Sequence, residues 1–375
     1  MAMTFDTNGT NRIRIVYDYQ AFDMQRFGGI SRYFCEIIKR LGMPKDIGVR
    51  YSTNYYLTSY HLGRHRLPIP RFIFKRNPEY FHRQNRLLSE RLLSKGGDII
   101  FHPTYYDPYF LERIGNNPYV VTVHDMIHEK FPDSFVDAEV MSRNKQIVIK
   151  NASRIIAISQ NTKNDIIELL GINADKIDVI YHGTSMDGHI KPHRLTLPQK
   201  YLLYVGDRTK YKNFNRFIKA FASISHTYHD LYVICTAPLL KDSEIKMIDE
   251  LGLKDRVTSM KVNDRDLAEL YARAEMFVYP SLYEGFGIPI LEAFSCQCPV
   301  ALSNTSCFPE IADNAGLYFD PYSETSIADA IITLLEDKQV CKELIKRGND
   351  RLKLYSWERA SRQTETVYRE IISNG

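Results

Sequence analysis

Short apolar runs alternate with amphipathic stretches along almost the whole chain, and no other feature narrows the choice of fold so far. The runs Arg14–Tyr17, Asp98–Phe101, Tyr119–Val123, Arg154–Ile158 and Ile177–Tyr181 have strand length, as do Tyr201–Val205, Leu231–Cys235, Met276–Tyr279, Pro299–Leu302 and Leu317–Phe319. Between them Ser31–Leu41, Asn161–Leu170, Asn213–Ser225, Leu267–Ala274 and Ile327–Leu335 repeat apolar residues at helix spacing. Strand, helix, strand in this order predicts parallel sheets covered on both faces, the doubly wound α/β class. The segment Gly188–Gln199 is polar, has two prolines and shows no periodicity, so it divides the chain. At roughly 100–200 residues per domain, each half of the 375 residues suits one Rossmann-like domain. A periodic helix over Trp357–Ile372 follows the last strand–helix unit.

Composition removes several function classes. No apolar run approaches the roughly 20 residues of a transmembrane helix, and the polar start MAMTFDTNGTNR lacks a secretory apolar core. Cys35, Cys235, Cys296, Cys298, Cys307 and Cys341 are scattered, which reads as reduced thiols and predicts a cytoplasmic protein. The sequons at Asn8, Asn151 and Asn304 then carry no meaning. A net charge of +4 is too mild to mark a nucleic-acid binder, and no nucleic-acid partner is expected.

The segment Tyr279–Ala293, YPSLYEGFGIPILEA, carries the most chemistry. A strand runs into a loop holding Glu284, Gly285, Phe286 and Gly287, and Pro289 suits the first turn of a helix. The glycines allow close backbone approach, and the helix N-terminus offers N–H groups and a positive dipole end to phosphate. Glu292 follows Glu284 by eight positions, which predicts two carboxylates for two sets of sugar hydroxyls. The plainer alternative is a loop glutamate plus one that complements the helix dipole. In YLLYVGDRTKYKNF, Arg208 and Lys212 follow a strand and a glycine turn, where a diphosphate would be neutralised, and Asn213 is the expected cap of the next helix. Gly28 and Gly29 open a helix after the first strand, a candidate phosphate nest.

These motifs together resemble the retaining GT-B glycosyltransferases of family 4, also called glycosyltransferase group 1. EGFGIPILE resembles the paired-glutamate motif, VGDRTKYKNF the diphosphate motif and VVTVHDMIHEKFP the N-terminal histidine segment. IIAISQNTKNDI, KIDVIYHG, DLAELYARAEMFVYPS and YSWERAS also fit, so the similarity runs from Arg14 to Trp357. One departure is Tyr181-His182-Gly183, where many members have Pro-Asn-Gly. The resemblance implies a GT-B fold of two Rossmann-like domains, 1–190 on the acceptor side and 191–357 on the donor side, facing across a cleft. The last helix, 358–375, would cross back onto the first domain.

The resemblance also implies roles. Gly28 and Gly29 would face the donor diphosphate, and Arg208 and Lys212 would neutralise the leaving pyrophosphate. Glu284 would hold the donor sugar and Glu292 the ribose. The backbone N–H groups of Phe286, Gly287 and Ile288 would bind sugar hydroxyls and phosphate, with His124 across the cleft. The implied reaction is hexose transfer with retention from a nucleotide-sugar to a hydroxyl of a glycan or lipid-linked acceptor, in cell-surface polysaccharide or lipopolysaccharide assembly. GDP-mannose is placed ahead of UDP-hexoses as donor. No cofactor and no metal are expected, because cations and helix ends meet the phosphate charge.

Two other readings are weighed. A NAD-dependent oxidoreductase is disfavoured because no G-x-G-x-x-G follows the first strand. An inactive, membrane-attached sugar-nucleotide-binding relic should have lost one of Arg208, Lys212, Glu284 or Glu292, and all are present. Asp264-Arg265-Asp266 has a metal-binding spacing but opens a helix, where Asp is favoured as a cap. Cys296-Gln297-Cys298 has too few companions for zinc and reads as packing. Finally, His61–Lys95 holds nine Lys and Arg against two Glu, with Leu87, Leu88, Leu92 and Leu93 on one expected helix face. This basic amphipathic segment is either a solvated helix or a surface for an anionic membrane.

Overall fold

The computed structural model describes residues 13–63, 67–95, 98–188, 195–236 and 238–374. The polar N-terminus with Asn8, the cations Arg64 and Arg66, and part of the Gly188–Gln199 break lie outside the described residues.

Two parallel sheets organise the chain. In the first, β1 (Arg14–Tyr17) lies between β2 (Lys45–Ile47) and β5 (Ile99–His102), and β6 (Val120–Val123), β7 (Arg154–Ala157) and β8 (Ile177–Val179) continue it. The two halves meet at the parallel bridge between Phe101 and Tyr119. Ile15, Val16 and Tyr17 are fully buried, as expected where helices cover both faces of a parallel strand. A small pair, β3 (Tyr51–Ser52) with β4 (Leu67–Pro68), stands apart in the basic region.

The second sheet is six-stranded. Its members are β9 (Lys200–Tyr204), β10 (Leu231–Thr236), β11 (Val257–Met260), β12 (Met276–Tyr279), β13 (Val300–Ser303) and β14 (Leu317–Phe319). Their order is β11-β10-β9-β12-β13-β14, so the winding reverses between β9 and β12. Successive β9 residues feed opposite faces: Tyr201 and Leu203 join one apolar core, Leu202 and Tyr204 the other.

Helix Trp357–Asn374 returns to the first sheet. It packs along helix Gly29–Arg40, and Tyr368 Oη lies 2.8 Å from Tyr17 Oη and also contacts His102. The two passages between the sheets cross here. A Cβ on Gly183 would lie 2.6 Å from the carbonyl carbon of Ser356, and Trp357 Nε1 donates to Ser185 Oγ at 2.9 Å.

The structure corrects the leucine face of the basic segment. Leu92 and Leu93 are buried in the first core, Leu88 packs against it, and Leu87 is 46% exposed. Adjacent residues point about 100° apart on a helix, so four leucines in two neighbouring pairs do not share one outward stripe.

Candidate active site

The loops after β9 and β12 emerge side by side at the reversal point, where doubly wound sheets bind ligands. The first carries Arg208 and Lys212, the second Glu284 to Gly287. Asn213 joins them. Its backbone is left-handed, with φ of 58°, and its Nδ2 donates to Pro280 O at 3.0 Å and Pro321 O at 2.7 Å. Asn213 does occupy the expected N-cap position of helix Phe214–Ser225, but its side chain clamps the loops instead of capping the helix.

Lys212 Nζ donates to Glu284 Oε1 at 2.6 Å. Burial alone would lower the Lys212 pKa; the facing Glu284 carboxylate outweighs it and the net shift is upward. Lys212 therefore stays a cation at the end of β9. The Glu284 backbone is fixed by Ser306: Glu284 N donates to Ser306 Oγ at 3.1 Å, and that hydroxyl donates to Glu284 O at 2.7 Å. Gly287 then takes φ of 86°, a left-handed turn that starts helix Ile288–Ser295.

Arg208 sits elsewhere. Its Nε donates to Glu244 Oε2 at 3.0 Å, and its Nη2 donates to the carbonyls of Pro238 and Leu239, each at 2.8 Å. The side chain is almost wholly buried. Its charge is already balanced by one carboxylate and backbone oxygens. Beside it lies a basic surface cavity of about 380 Å³, lined by Arg208, Lys210, Asn213, Arg216, Lys219 and Glu324 among others.

Glu292 is buried one turn into its helix, where Tyr271 Oη donates to its Oε2 at 3.3 Å. Burial pushes its pKa up to about 7, against the pull of Arg32. Arg32 comes from the other sheet's helix Gly29–Arg40. Its guanidinium lies 3.9 Å from Glu292 and 3.4 Å from Asp264. Sequence reasoning missed Arg32. A signal existed: a cation near a helix N-terminus opposes the macrodipole and marks a demand from elsewhere.

His124 ends β6 on the facing wall. Burial pushes its pKa down to about 4, so the ring is neutral, and its Nε2 is buried without a partner. His182, the departure from Pro-Asn-Gly, stacks parallel to it at 6.3 Å and contacts Phe286. The walls touch closely. A Cβ on Gly285 would lie 2.9 Å from the His124 carbonyl carbon and closer still to its oxygen. Ser159 Oγ donates to Gly285 O at 2.7 Å, and Tyr283 Oη donates to Asp165 at 2.7 Å.

Gly28 is extended, with φ of −178°, and Gly29 begins the helix. The pair is not a nest of alternating hand, and nothing lies within 4 Å of a Cβ placed on Gly29. Among the described residues no group of three or more His, Cys, Asp or Glu side chains could hold a metal ion. Asp264 pairs with Arg32 and Asp266 accepts from Asn263. Asn263, not an aspartate, caps helix Asp264–Arg273. Cys296 and Cys298 are buried free thiols.

Two parallel sheets, each wound with helices, with loops gathered at one reversal point, are the architecture of the GT-B fold. Sucrose-phosphate synthase from Thermosynechococcus elongatus has this fold, with a TM-score of 0.75 over 97% of this chain and 100% of that one, at 20% identity. HepE from Anabaena, solved in complex with UDP and glucose, superposes with a TM-score of 0.72 over 96% and 100%, at 18% identity. In sequence, Glycosyltransferase Family 4 matches residues 27–187 and Glycosyl transferases group 1 matches 186–351. The O-antigen chain mannosyltransferase B of Escherichia coli is 29% identical over 91% of this chain and 96% of its own. The chain belongs to the group 1, family 4 glycosyltransferases. It is a hexosyltransferase, and the oxidoreductase and relic readings find no support.

Proposed function

We propose that the chain transfers a mannosyl group, with retention, from a nucleoside-diphosphate donor to a hydroxyl of a growing surface polysaccharide or its lipid-linked precursor. The observation that carries this reading is the Lys212–Glu284 pair beside the N-terminus of helix Ile288–Ser295. A fixed cation and unpaired helix N–H groups there meet the negative charge that grows on a leaving diphosphate. Glu284 takes the sugar hydroxyls and Glu292 the ribose. The neutral His124 offers its unpartnered nitrogen to the sugar, and the open side of Gly29 leaves room for the diphosphate. Phe286, Gly287 and Ile288 contribute backbone N–H groups, while Arg208, already paired with Glu244, holds the loop after β9 in place.

In this reading the anomeric C–O bond to phosphate breaks as the acceptor oxygen bonds to the same face of that carbon. The departing phosphate oxygen accepts the acceptor's proton. No protein base and no metal is required. Mannose as the sugar and an O-antigen-type acceptor are supported by likeness to the Escherichia coli mannosyltransferase, and a nucleotide donor by likeness to HepE.

The test is a panel of GDP- and UDP-sugars, followed by calorimetry and by turnover with and without EDTA. Binding of GDP-mannose, EDTA-resistant turnover and a product of the donor's anomeric configuration are expected. An inverted product overturns retention, and metal-dependent turnover reopens Asp264 and Asp266.

A second reading concerns location. Helix Arg71–Arg76 has no buried residue; Phe72 is 64% exposed and Ile73 39%, beside Arg71, Lys75 and Arg76. We infer peripheral attachment to an anionic cytoplasmic membrane face through this helix. Among the described residues no helix is long and apolar enough to cross a membrane.

A further inference from the structure

One member of the charged bridge across the cleft, Arg32, has no part in the reading above. Arg32 is rooted in the first sheet's helix Gly29–Arg40, yet its guanidinium reaches Glu292 and Asp264, which belong to two helices of the second sheet. The side chain is 11% exposed and its Nε is buried without a hydrogen-bond partner. Its Cζ also lies over the Tyr56 ring at 5.5 Å.

We propose that Arg32 is a positioning residue for the donor: from the first sheet it draws Glu292 towards its carboxylate form and aims it at the nucleoside end of the nucleotide-sugar, and so ties nucleotide recognition to contact between the two walls. This rests on the reading of Glu292 as the ribose-holding carboxylate. A carboxylate accepts from two hydroxyls, whereas a protonated carboxyl gives up part of that capacity. Burial favours the protonated form of Glu292, and Arg32 is the cation that opposes it. The groups facing Glu292 are Arg32, Asp264, Tyr271 and Tyr56, with Cys296 capping its own helix and Asp187 beyond that. On another side helix Lys338–Leu352 meets Phe294 through Gly348. Asp264 works against ionisation of Glu292, so Arg32 also screens one carboxylate from the other.

The experiment measures donor KM and kcat against pH for wild type, Arg32→Gln, Arg32→Lys, Glu292→Gln and the Arg32→Gln/Glu292→Gln double variant, each checked by thermal melting. In wild type, donor KM should rise as pH falls through about 7. Removing the cation should move that limb up by about one unit. The ionised fraction at neutral pH then falls from about one half to about one tenth, and KM rises roughly fivefold. Arg32→Lys should restore most of the wild-type profile. In the Glu292→Gln background the Arg32→Gln change should add nothing, because the group it acts through is gone. If Glu292→Gln raises KM but Arg32→Gln leaves the profile unmoved, or the two effects are additive, the proposal fails alone. If Glu292→Gln leaves donor KM unchanged, the reading of Glu292 fails and takes the proposal with it.

Discussion

Lys212 and Glu284 are each about one-seventh exposed, so their 2.6 Å contact is neither a free surface pair nor a sealed one. Each is within reach of a ligand and each depends on the other for charge balance. Lys212→Ala or Glu284→Ala should lower kcat by about 10²–10³-fold with the circular dichroism spectrum unchanged; wild-type turnover in either variant would remove the site proposed above. Glu292 allows a different measurement. Its folded-state pKa, about 7, lies above the ordinary 4.5. The fold therefore favours the protonated form, and the stability this lends is complete below about pH 4.5 and lost as pH rises through 7. Glu292→Gln should melt close to wild type near pH 5 and higher than wild type near pH 8. The gap corresponds to roughly 2–3 kcal/mol; calorimetric scans giving the same offset at both pH values would exclude it. Glu284, Gly287 and Lys212 stood out in the sequence because glycine turns and charges after strands are local signals. The Arg208–Glu244 contact did not, since a partner 36 positions away leaves no local mark, and Arg32 left only its misfit with the helix dipole, with nothing to point to partners more than 230 positions on.

At the scale of elements, the loop Glu284–Gly287 is also an interface. Gly285 is pressed against the end of β6, so Gly285→Ala must push the two walls apart or distort the loop. A misplacement near 1 Å costs about 10²-fold in rate; activity should fall by that order and small-angle scattering should show a wider particle. Unchanged dimensions with unchanged activity would mean that the walls do not meet in solution. Helix Arg71–Arg76 carries the membrane prediction. The wild-type protein should co-sediment with anionic but not neutral liposomes, less so as salt rises, and Phe72→Ser/Ile73→Ser should abolish binding. Equal behaviour with both lipids would leave an ordinary solvated helix. The strands that run as continuous apolar stretches were legible to within a residue or two. The edge strand Lys45–Ile47 was not, because KDI is short and two of its three residues are charged, nor was β11, whose VTSM is exposed in part. Helix Lys338–Leu352 also escaped notice: it buries only Cys341, Leu344 and Gly348, a stripe too narrow to show periodicity. Its glycine fits against Phe294, where a Cβ would come within 2.6 Å of the ring.

For the whole molecule, the doubly wound class followed from strand–helix alternation alone, while the contacts between the walls had no counterpart in periodicity. They arise from single residues such as Tyr283, Ser159 and Gly285 that meet only after both sheets exist. The return of helix Trp357–Asn374 to the first sheet has a further consequence for how the protein comes into being. During translation β1, β5 and helix Gly29–Arg40 leave the ribosome ahead of the second sheet, yet Trp357, Ala360, Val367 and Tyr368 complete the core they share. The second sheet, β9 to β14, lies wholly between and has its remaining strands and helices in hand before residue 357 appears. A released chain truncated after Tyr355 should therefore show a protease-resistant second sheet and a first sheet still cut readily, and restoring residues 356–374 should protect both. Protection of the first sheet without them would show that it folds unaided. Vectorial synthesis thus completes the wall of β9 to β14 before the wall that contains β1, whose core closes only when helix Trp357–Asn374 arrives.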